Sequence, residues 1–438
     1  MQRIVIVGGG AGGLALATQL GKTLGKKKLA EITLVDAART HVWKPLLHQL
    51  AAGSFDTHAE EIEYLAQARW NHFKFRLGRL EGLDRASKTL QLAASHDEAG
   101  REITPAQQLA YDTLVIAVGS QTNDFGTLGA AEHTIKLDSP QAAKRFNDRL
   151  INACIRAQTV PRTAGSGRLT VAIVGGGATG VELAAELHAS AKVLANYGFD
   201  HIHPEKDLQI VLVEAAPRLL AQLPERLSES ALRELRKLAI EVHTNEKVVE
   251  VTEDSLKMAS GKVISSSLSV WCAGVKAADF LTRLGGSGPD ALETNRLNQL
   301  VVNGNLQSAV DPSIFAFGDC AACQQPDGTW VPPRAQAAYQ QAMYLVRALP
   351  RLQRGERVSP FVFRDQGSLV SLSEYSSVGS LMGSLTKGSF FIEGQVAKLM
   401  YWALHKQHQL ALGGWKKTIL ITLSEMLDRT YRPRIKLH

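Results

Sequence analysis

The feature that most constrains this chain is a short apolar run followed by spaced glycines, and it occurs twice. Residues 4–7 (Ile-Val-Ile-Val) lead into Gly8, Gly10 and Gly13, and residues 171–174 (Val-Ala-Ile-Val) lead into Gly175, Gly177 and Gly180. Each run is followed by apolar residues at helical spacing, so each copy reads as strand, turn and helix. The first glycine permits a tight turn, the second lets a pyrophosphate approach the backbone, and the third lets the helix pack closely on the strand. The helix N-terminus then faces the phosphates. A second apolar strand follows in each copy, residues 32–35 ending in Asp36 and residues 210–213 ending in Glu214, where a carboxylate accepts hydrogen bonds from ribose hydroxyls. The acid lies 28 positions after the first glycine in one copy and 39 in the other, against a usual spacing of ~20. The stretch 196–207, with Gly198 and Pro204, accounts for the longer one. One such fingerprint is weak evidence; two in this setting predict an α/β protein with two Rossmann-type dinucleotide-binding domains, one for a bound flavin and one for a visiting nicotinamide.

At 438 residues the chain exceeds what one hydrophobic core usually supports, which leaves room for two domains and an appendage. Its 45% hydrophobic and 21% charged composition is that of a globular protein. Four cysteines are too few and too scattered for a disulfide framework, which fits a reducing compartment. The N-terminus enters a core strand directly, without the pattern of a signal peptide, and no apolar run approaches the ~18 residues of a spanning helix. Membrane contact is therefore expected from one side only. The formal charge of +7 is compatible with nucleotide or lipid ligands. Much of it sits after Tyr401, where Lys406, Lys416, Lys417, Arg429, Arg432, Arg434 and Lys436 face only Glu425 and Asp428. Trp415, Ile419, Leu423 and Met426 or Leu427 recur there at helical spacing, with Tyr401 and Trp402 nearby. Apolar area, amphipathic aromatics and cations are what an interfacial helix needs; a core-packed C-terminal helix is the alternative.

Two further strands end in small residues. Residues 111–120 close on Ala117-Val118-Gly119-Ser120, and residues 314–321 contain Gly318-Asp319. The Asp319 carboxylate suits the hydroxyls of a ribityl chain or the start of a helix. Gln336 and Gln340 stand four apart, on one helix face, and their amides can both donate and accept hydrogen bonds. Cys320 and Cys323 form a C-x-x-C that is either a redox or metal pair or a buried, incidental one. No metal site is expected.

These residues together resemble the flavoproteins with two dinucleotide-binding domains and, within them, the bacterial type II NADH:quinone oxidoreductases. The resemblance runs nearly end to end: residues 4–13, Trp43-Lys44-Pro45-Leu46-Leu47-His48, residues 111–120, Gly-Gly-Gly-Ala-Thr-Gly-Val-Glu at 175–182, residues 271–276, Gly318-Asp319, residues 333–338 and the Arg-Pro-Arg-Ile-Lys-Leu-His ending. It implies non-covalent FAD against Gly8, Gly10, Ala11, Gly12, Gly13, Asp36, Lys44, Ala117, Gly119, Asp319 and Ala335. NADH as substrate would lie on Gly175, Gly177, Gly180 and Glu214, with Ala273 and Gly274 bordering the nicotinamide. Glu182, Gln336 and Gln340 would be the catalytic residues of quinone reduction. The family reading also implies a peripheral protein on the cytoplasmic face of the bacterial inner membrane, partnered by NADH, a membrane quinone and the lipid surface. Nucleic acid is not an expected partner, and a homodimer is left open. The expected domains are 1–125 with 296–345 for FAD, 126–295 for NADH, and 346–438 as a C-terminal membrane-associating helical region. Two rival functions are sulfide:quinone oxidoreduction, which needs suitably facing cysteines, and a non-enzymatic flavin-bound NADH sensor.

Overall fold

The computed structural model describes the chain except for residues 56–59, 98, 160–167, 197–206, 287–290, 374, 383–388 and 432–438. The chain divides into two compact units. The first is Met1–Trp43, Glu61–Gln121 and Val275–Asp365; the second is Lys44–Glu60, Thr122–Gly274 and Gln366–His438. The stretch expected as a separate region from 346 is shared out: residues up to Asp365 belong to the first unit and those from Gln366 to the second. Residues 197–206, the core of the expected insertion, lie outside the described residues.

Each unit is built on a five-stranded parallel sheet. In the first the order is Ile314–Ala316, Thr113–Ile116, Gln2–Val7, Ala30–Asp36, Lys74–Leu77. In the second it is Ile135–Lys136, Leu268–Trp271, Leu169–Val174, Leu208–Val213, Glu241–His243. Both fingerprint strands are central, as their unbroken apolar runs require, because a parallel strand is covered on both faces. Ile4, Val5, Ile6, Val171, Ala172 and Ile173 are fully or almost fully buried. Each fingerprint then enters a helix, Ala11–Leu20 or Ala178–Asn196. The likeness extends to a three-stranded antiparallel ribbon in each unit.

The second unit also takes in the C-terminal stretch from Gln366. Strands Gly367–Leu372, Ser376–Met382 and Ser389–Glu393 form an antiparallel ribbon that leads into the helix Gln395–Tyr431. That helix is interrupted at Gly414, whose φ of 74° and ψ of 169° are not helical. In a straight helix Lys406 and Glu425 would lie roughly 28 Å apart. Here the Lys406 ammonium donates to both Glu425 carboxylate oxygens at 2.6 Å, so the chain folds back at Gly414 into a hairpin. Gln409 accepts from the same ammonium at 3.0 Å, and Glu60 lies 3.2 Å from His405. Two residues expected at a lipid interface are therefore used inside: Lys406 is neutralised in this clasp, and the Tyr401 hydroxyl is buried. Leu399, Trp415, Ile419, Leu420, Leu423 and Leu427 remain exposed. No helix among the described residues is long and apolar enough to cross a membrane.

Removing one partner of a buried ion pair strands the other, at a cost of ~3–5 kcal/mol. Lys406→Met should therefore loosen the hairpin, and hydrogen exchange should quicken across 415–431 while both parallel sheets keep their protection. Unchanged exchange in that segment would show that the fold-back does not depend on the clasp.

Candidate functional site

The first cradle is formed by the loop from Gly8 to Gly13. Gly8 turns with φ of 105°, and a side chain there would strike the Ala117 carbonyl. A Cβ on Gly13 would overlap the Gly8 carbonyl oxygen, which is why the helix can sit so close to its strand. Gly12 packs against Phe317 and the backbone of Ala338, so it serves the contact between helices Ala11–Leu20 and Ala335–Leu352. Around Gly10 and Gly119, by contrast, the space a Cβ would enter is open to 4 Å. The Asp36 carboxylate accepts from the Gly9 N–H at 2.6 Å and the Ala38 N–H at 2.8 Å. Burial pushes its pKa up, and those backbone N–H groups oppose the rise. Behind the loop, the Tyr64 hydroxyl donates to the Gly9 carbonyl at 2.8 Å and a His41 ring nitrogen meets the same oxygen at 2.9 Å. Neither residue is marked by the fingerprint; both act through the backbone of a residue that is.

The second cradle repeats this geometry. Gly175 has φ of 111° and faces the Ala273 backbone, Gly180 meets the Gly175 carbonyl, and Gly177 is open. The Glu214 carboxylate accepts from the Gly176 N–H at 2.5 Å and the Ala216 N–H at 2.7 Å. The Trp271 indole donates to the carbonyls of Asn123 at 3.0 Å and Ala273 at 3.1 Å, fixing the backbone that leads to Gly274.

In the first unit the Ser120 hydroxyl donates to Asp319 at 2.7 Å, and Gln341 accepts from the Gly318 N–H at 2.8 Å. Gln340 spends both ends of its amide on the Arg364 backbone, donating at 2.8 Å and accepting at 3.0 Å. It thus ties down a neighbouring segment; Gln336, one turn earlier, is half-buried. Ala335 and Ala11 each begin a helix. Lys44 is exposed at the start of the segment that belongs to the second unit.

Glu182 lies in the first turns of helix Ala178–Asn196, only 6% exposed. Its carboxyl accepts from the Ser371 N–H at 3.0 Å, and the His48 ring stands 3.5 Å away. Burial pushes Glu182 up to about 8; the neighbouring Glu186 adds to this, while the Ser371 N–H and Tyr401 oppose it. Burial pushes His48 down to about 4, against the pull of the Pro45 backbone. At neutral pH the pair is a protonated acid beside an uncharged imidazole and not an ion pair. One turn along the helix, Glu186 accepts a 2.5 Å hydrogen bond from Ser54. Glu182 stands out in the sequence, at the start of the second fingerprint helix, whereas Glu186, Ser54 and Ser371 carry no such signal.

All four thiols are unbridged. Burial pushes Cys154 and Cys323 up to about 11, and Cys272 and Cys320 up to about 12. Such thiols carry little thiolate at neutral pH, which disfavours both redox chemistry at Cys320 and Cys323 and the sulfide reading. No cluster of three His, Cys, Asp or Glu side chains suited to a metal ion occurs among the described residues.

Residues 2–342 match the family model described as pyridine nucleotide-disulphide oxidoreductase. Over its full length the chain is 41% identical to all of a type II NADH:quinone oxidoreductase of Haemophilus influenzae. Its fold matches NDH2 of Plasmodium falciparum in complex with NADH with a TM-score of 0.82, at 20% identity over 99% of this chain and 100% of that one. It also matches a sulfide:quinone oxidoreductase of Aquifex aeolicus with a TM-score of 0.71, at 16% identity over 98% and 95%.

Because Glu214 accepts two loop N–H bonds, its replacement acts on the loop's structure as well as on any ribose contact it makes. Glu214→Gln should narrow the preference for NADH over NADPH in kcat/KM, since the charge that repels a 2′-phosphate is lost. It should also destabilise the second unit by ~1–2 kcal/mol, because one loop N–H loses a charged acceptor. Unchanged discrimination would remove Glu214 from the ribose site.

Proposed function

As the chain belongs to the pyridine nucleotide-disulphide oxidoreductases and, among them, to the type II NADH:quinone oxidoreductases, which pass electrons from NADH to a quinone, we propose how its residues divide that task. FAD fits the first cradle. Gly10 and Gly119 leave room for a ligand against the backbone, and the start of helix Ala11–Leu20 offers its N–H groups to a pyrophosphate. Asp36 would take the ribose hydroxyls. Asp319, oriented by Ser120, would take the ribityl chain, with Ala117, Gly119 and Ala335 beside the ring, and Lys44 is a further candidate for the flavin. When bound, FAD supplies the two-electron chemistry that links NADH oxidation to quinone reduction. NADH would rest on Gly175, Gly177 and Gly180 with its ribose on Glu214 and its nicotinamide bordered by Ala273 and Gly274.

Glu182 carries the proton-handling reading. It is a buried acid that holds its proton at neutral pH, as a donor to a quinone oxygen must. Gln336 would hydrogen bond a quinone carbonyl, and Gln340 would hold the helix in place through Arg364. The exposed apolar residues of the C-terminal hairpin, with Lys416 and Lys417 beside them, would rest in the lipid interface. On this reading the enzyme would work at the cytoplasmic face of the inner membrane, where NADH and a membrane quinone are both within reach.

Stopped-flow absorbance of the flavin separates the two half-reactions. Gln336→Leu should leave bleaching by NADH fast and slow recovery with a short-chain quinone by about five- to a hundred-fold, the cost of a poorly paired carbonyl of ~1–3 kcal/mol. Recovery should also fall as pH rises through about 8, where Glu182 gives up its proton. Equal slowing of both steps would point to a disturbed flavin.

The lipid contact is tested on vesicles of anionic phospholipid. Replacing Trp415, Leu420 and Leu423 with Ser should release the protein into the supernatant with FAD still bound. Retention on the vesicles would assign the contact elsewhere.

A further inference from the structure

Quinone reduction by NADH takes up one proton: NADH, a proton and the quinone give NAD⁺ and the quinol. A group that donates to a quinone oxygen must therefore keep its proton until that moment and be recharged afterwards. Glu182 and Glu186 lie four residues apart on helix Ala178–Asn196, which puts both carboxyls on one face at roughly 5–6 Å between Cβ atoms. Both are buried, at 6% and 7% exposure. Two carboxyls so close in a low-dielectric site do not both ionise readily. Their surroundings decide which one does.

The segment 44–55 runs against this face and presents a different partner to each acid. To Glu182 it offers the His48 ring, held uncharged by burial. To Glu186 it offers the Ser54 hydroxyl, which donates a 2.5 Å hydrogen bond to Oε1. From strand Gly367–Leu372 the Ser371 N–H reaches Glu182. From the C-terminal helix Tyr401 lies beside both acids, its ionisation suppressed by burial and by their charge. Further along the acids' own helix, His188 hydrogen bonds to Tyr375 at 2.9 Å and Lys192 stands over the Tyr375 ring.

We propose that Glu186, held by Ser54, is a positioning residue for the quinone half-reaction: its carboxylate one helical turn from Glu182 keeps Glu182 in the protonated, donating form. The hydroxyl of Ser54 favours the charged form of Glu186, and that charge disfavours a second one on Glu182. The proton Glu182 gives to the quinone oxygen is replaced from solvent, so no further reactant is needed. This rests on the reading of Glu182 as the proton donor, and the variants below separate the two ideas.

The experiment follows the FAD-loaded enzyme in two ways as pH is raised: recovery of the flavin with a short-chain quinone, and the infrared carbonyl band of protonated buried carboxyls. In Glu186→Gln, which keeps bulk and an acceptor for Ser54, the midpoint of both signals should move to lower pH by about one pH unit, since the neighbouring negative charge is gone. Ser54→Ala should move it the same way by less, because Glu186 then holds its own proton more firmly. Bleaching by NADH should stay as in the parent. Glu182→Gln should abolish the pH-dependent step and its infrared band. If Glu182→Gln abolishes the step but Glu186→Gln and Ser54→Ala leave the midpoint in place, Glu186 is only a packing residue and the proposal is overturned while Glu182 stands. If the step survives Glu182→Gln, the donor has been misassigned, and the role of Glu186 fails with it.

Discussion

Each glycine-rich loop is held in shape by one carboxylate at the end of the following strand. Asp36 takes the N–H groups of Gly9 and Ala38, and Glu214 takes those of Gly176 and Ala216. A tight loop between a buried strand and a helix turns several backbone N–H groups inward, and those without a partner would cost heavily. The carboxylate supplies the acceptor, and parallel pairing fixes where it stands: Val7 lies opposite Val35, and Val174 opposite Val213. The direction of each helix, the close approach of its third glycine and the open space at the second all follow from that arrangement.

In the second unit the same loop launches the helix that bears Glu182 and Glu186. Burying a carboxyl disfavours its charged form, so the cover over this helix sets its chemistry. That cover comes from distant parts of the chain: segment 44–55 brings His48 and Ser54, strand Gly367–Leu372 brings Ser371, and the C-terminal helix brings Tyr401. The C-terminal helix has a second task. By folding back at Gly414 and closing on Lys406 and Glu425, it leaves a row of apolar side chains exposed. A charge pair inside the hairpin and apolar residues outside it invert the usual order of a soluble helix, and this supports the proposed lipid contact.

Both cradles were legible in the residues because their determinants are local. A strand, three glycines and an acid lie within a few tens of positions, and steric demands on glycine fix the geometry whatever surrounds it. The helical spacing of Trp415, Ile419 and Leu423 was legible for the same reason. The roles of Lys406 and Tyr401 were not, because amphipathic spacing says which residues share a face but not whether a fold-back at a glycine will turn a cation or a phenol inward. Gln340 is a similar case: its spacing from Gln336 places both amides on one helix face, yet the Arg364 backbone claims one of them.

The two loops, their acids and the family can thus be read from the residues, since these depend on backbone sterics and short-range patterning. The tertiary structure alone decided which carboxyl keeps its proton. Proton affinity depends on burial, hydrogen bonds and nearby charge, and the residues that surround Glu182 come from places as far apart in the chain as His48 and Tyr401. Only folding brings such residues within reach of one another.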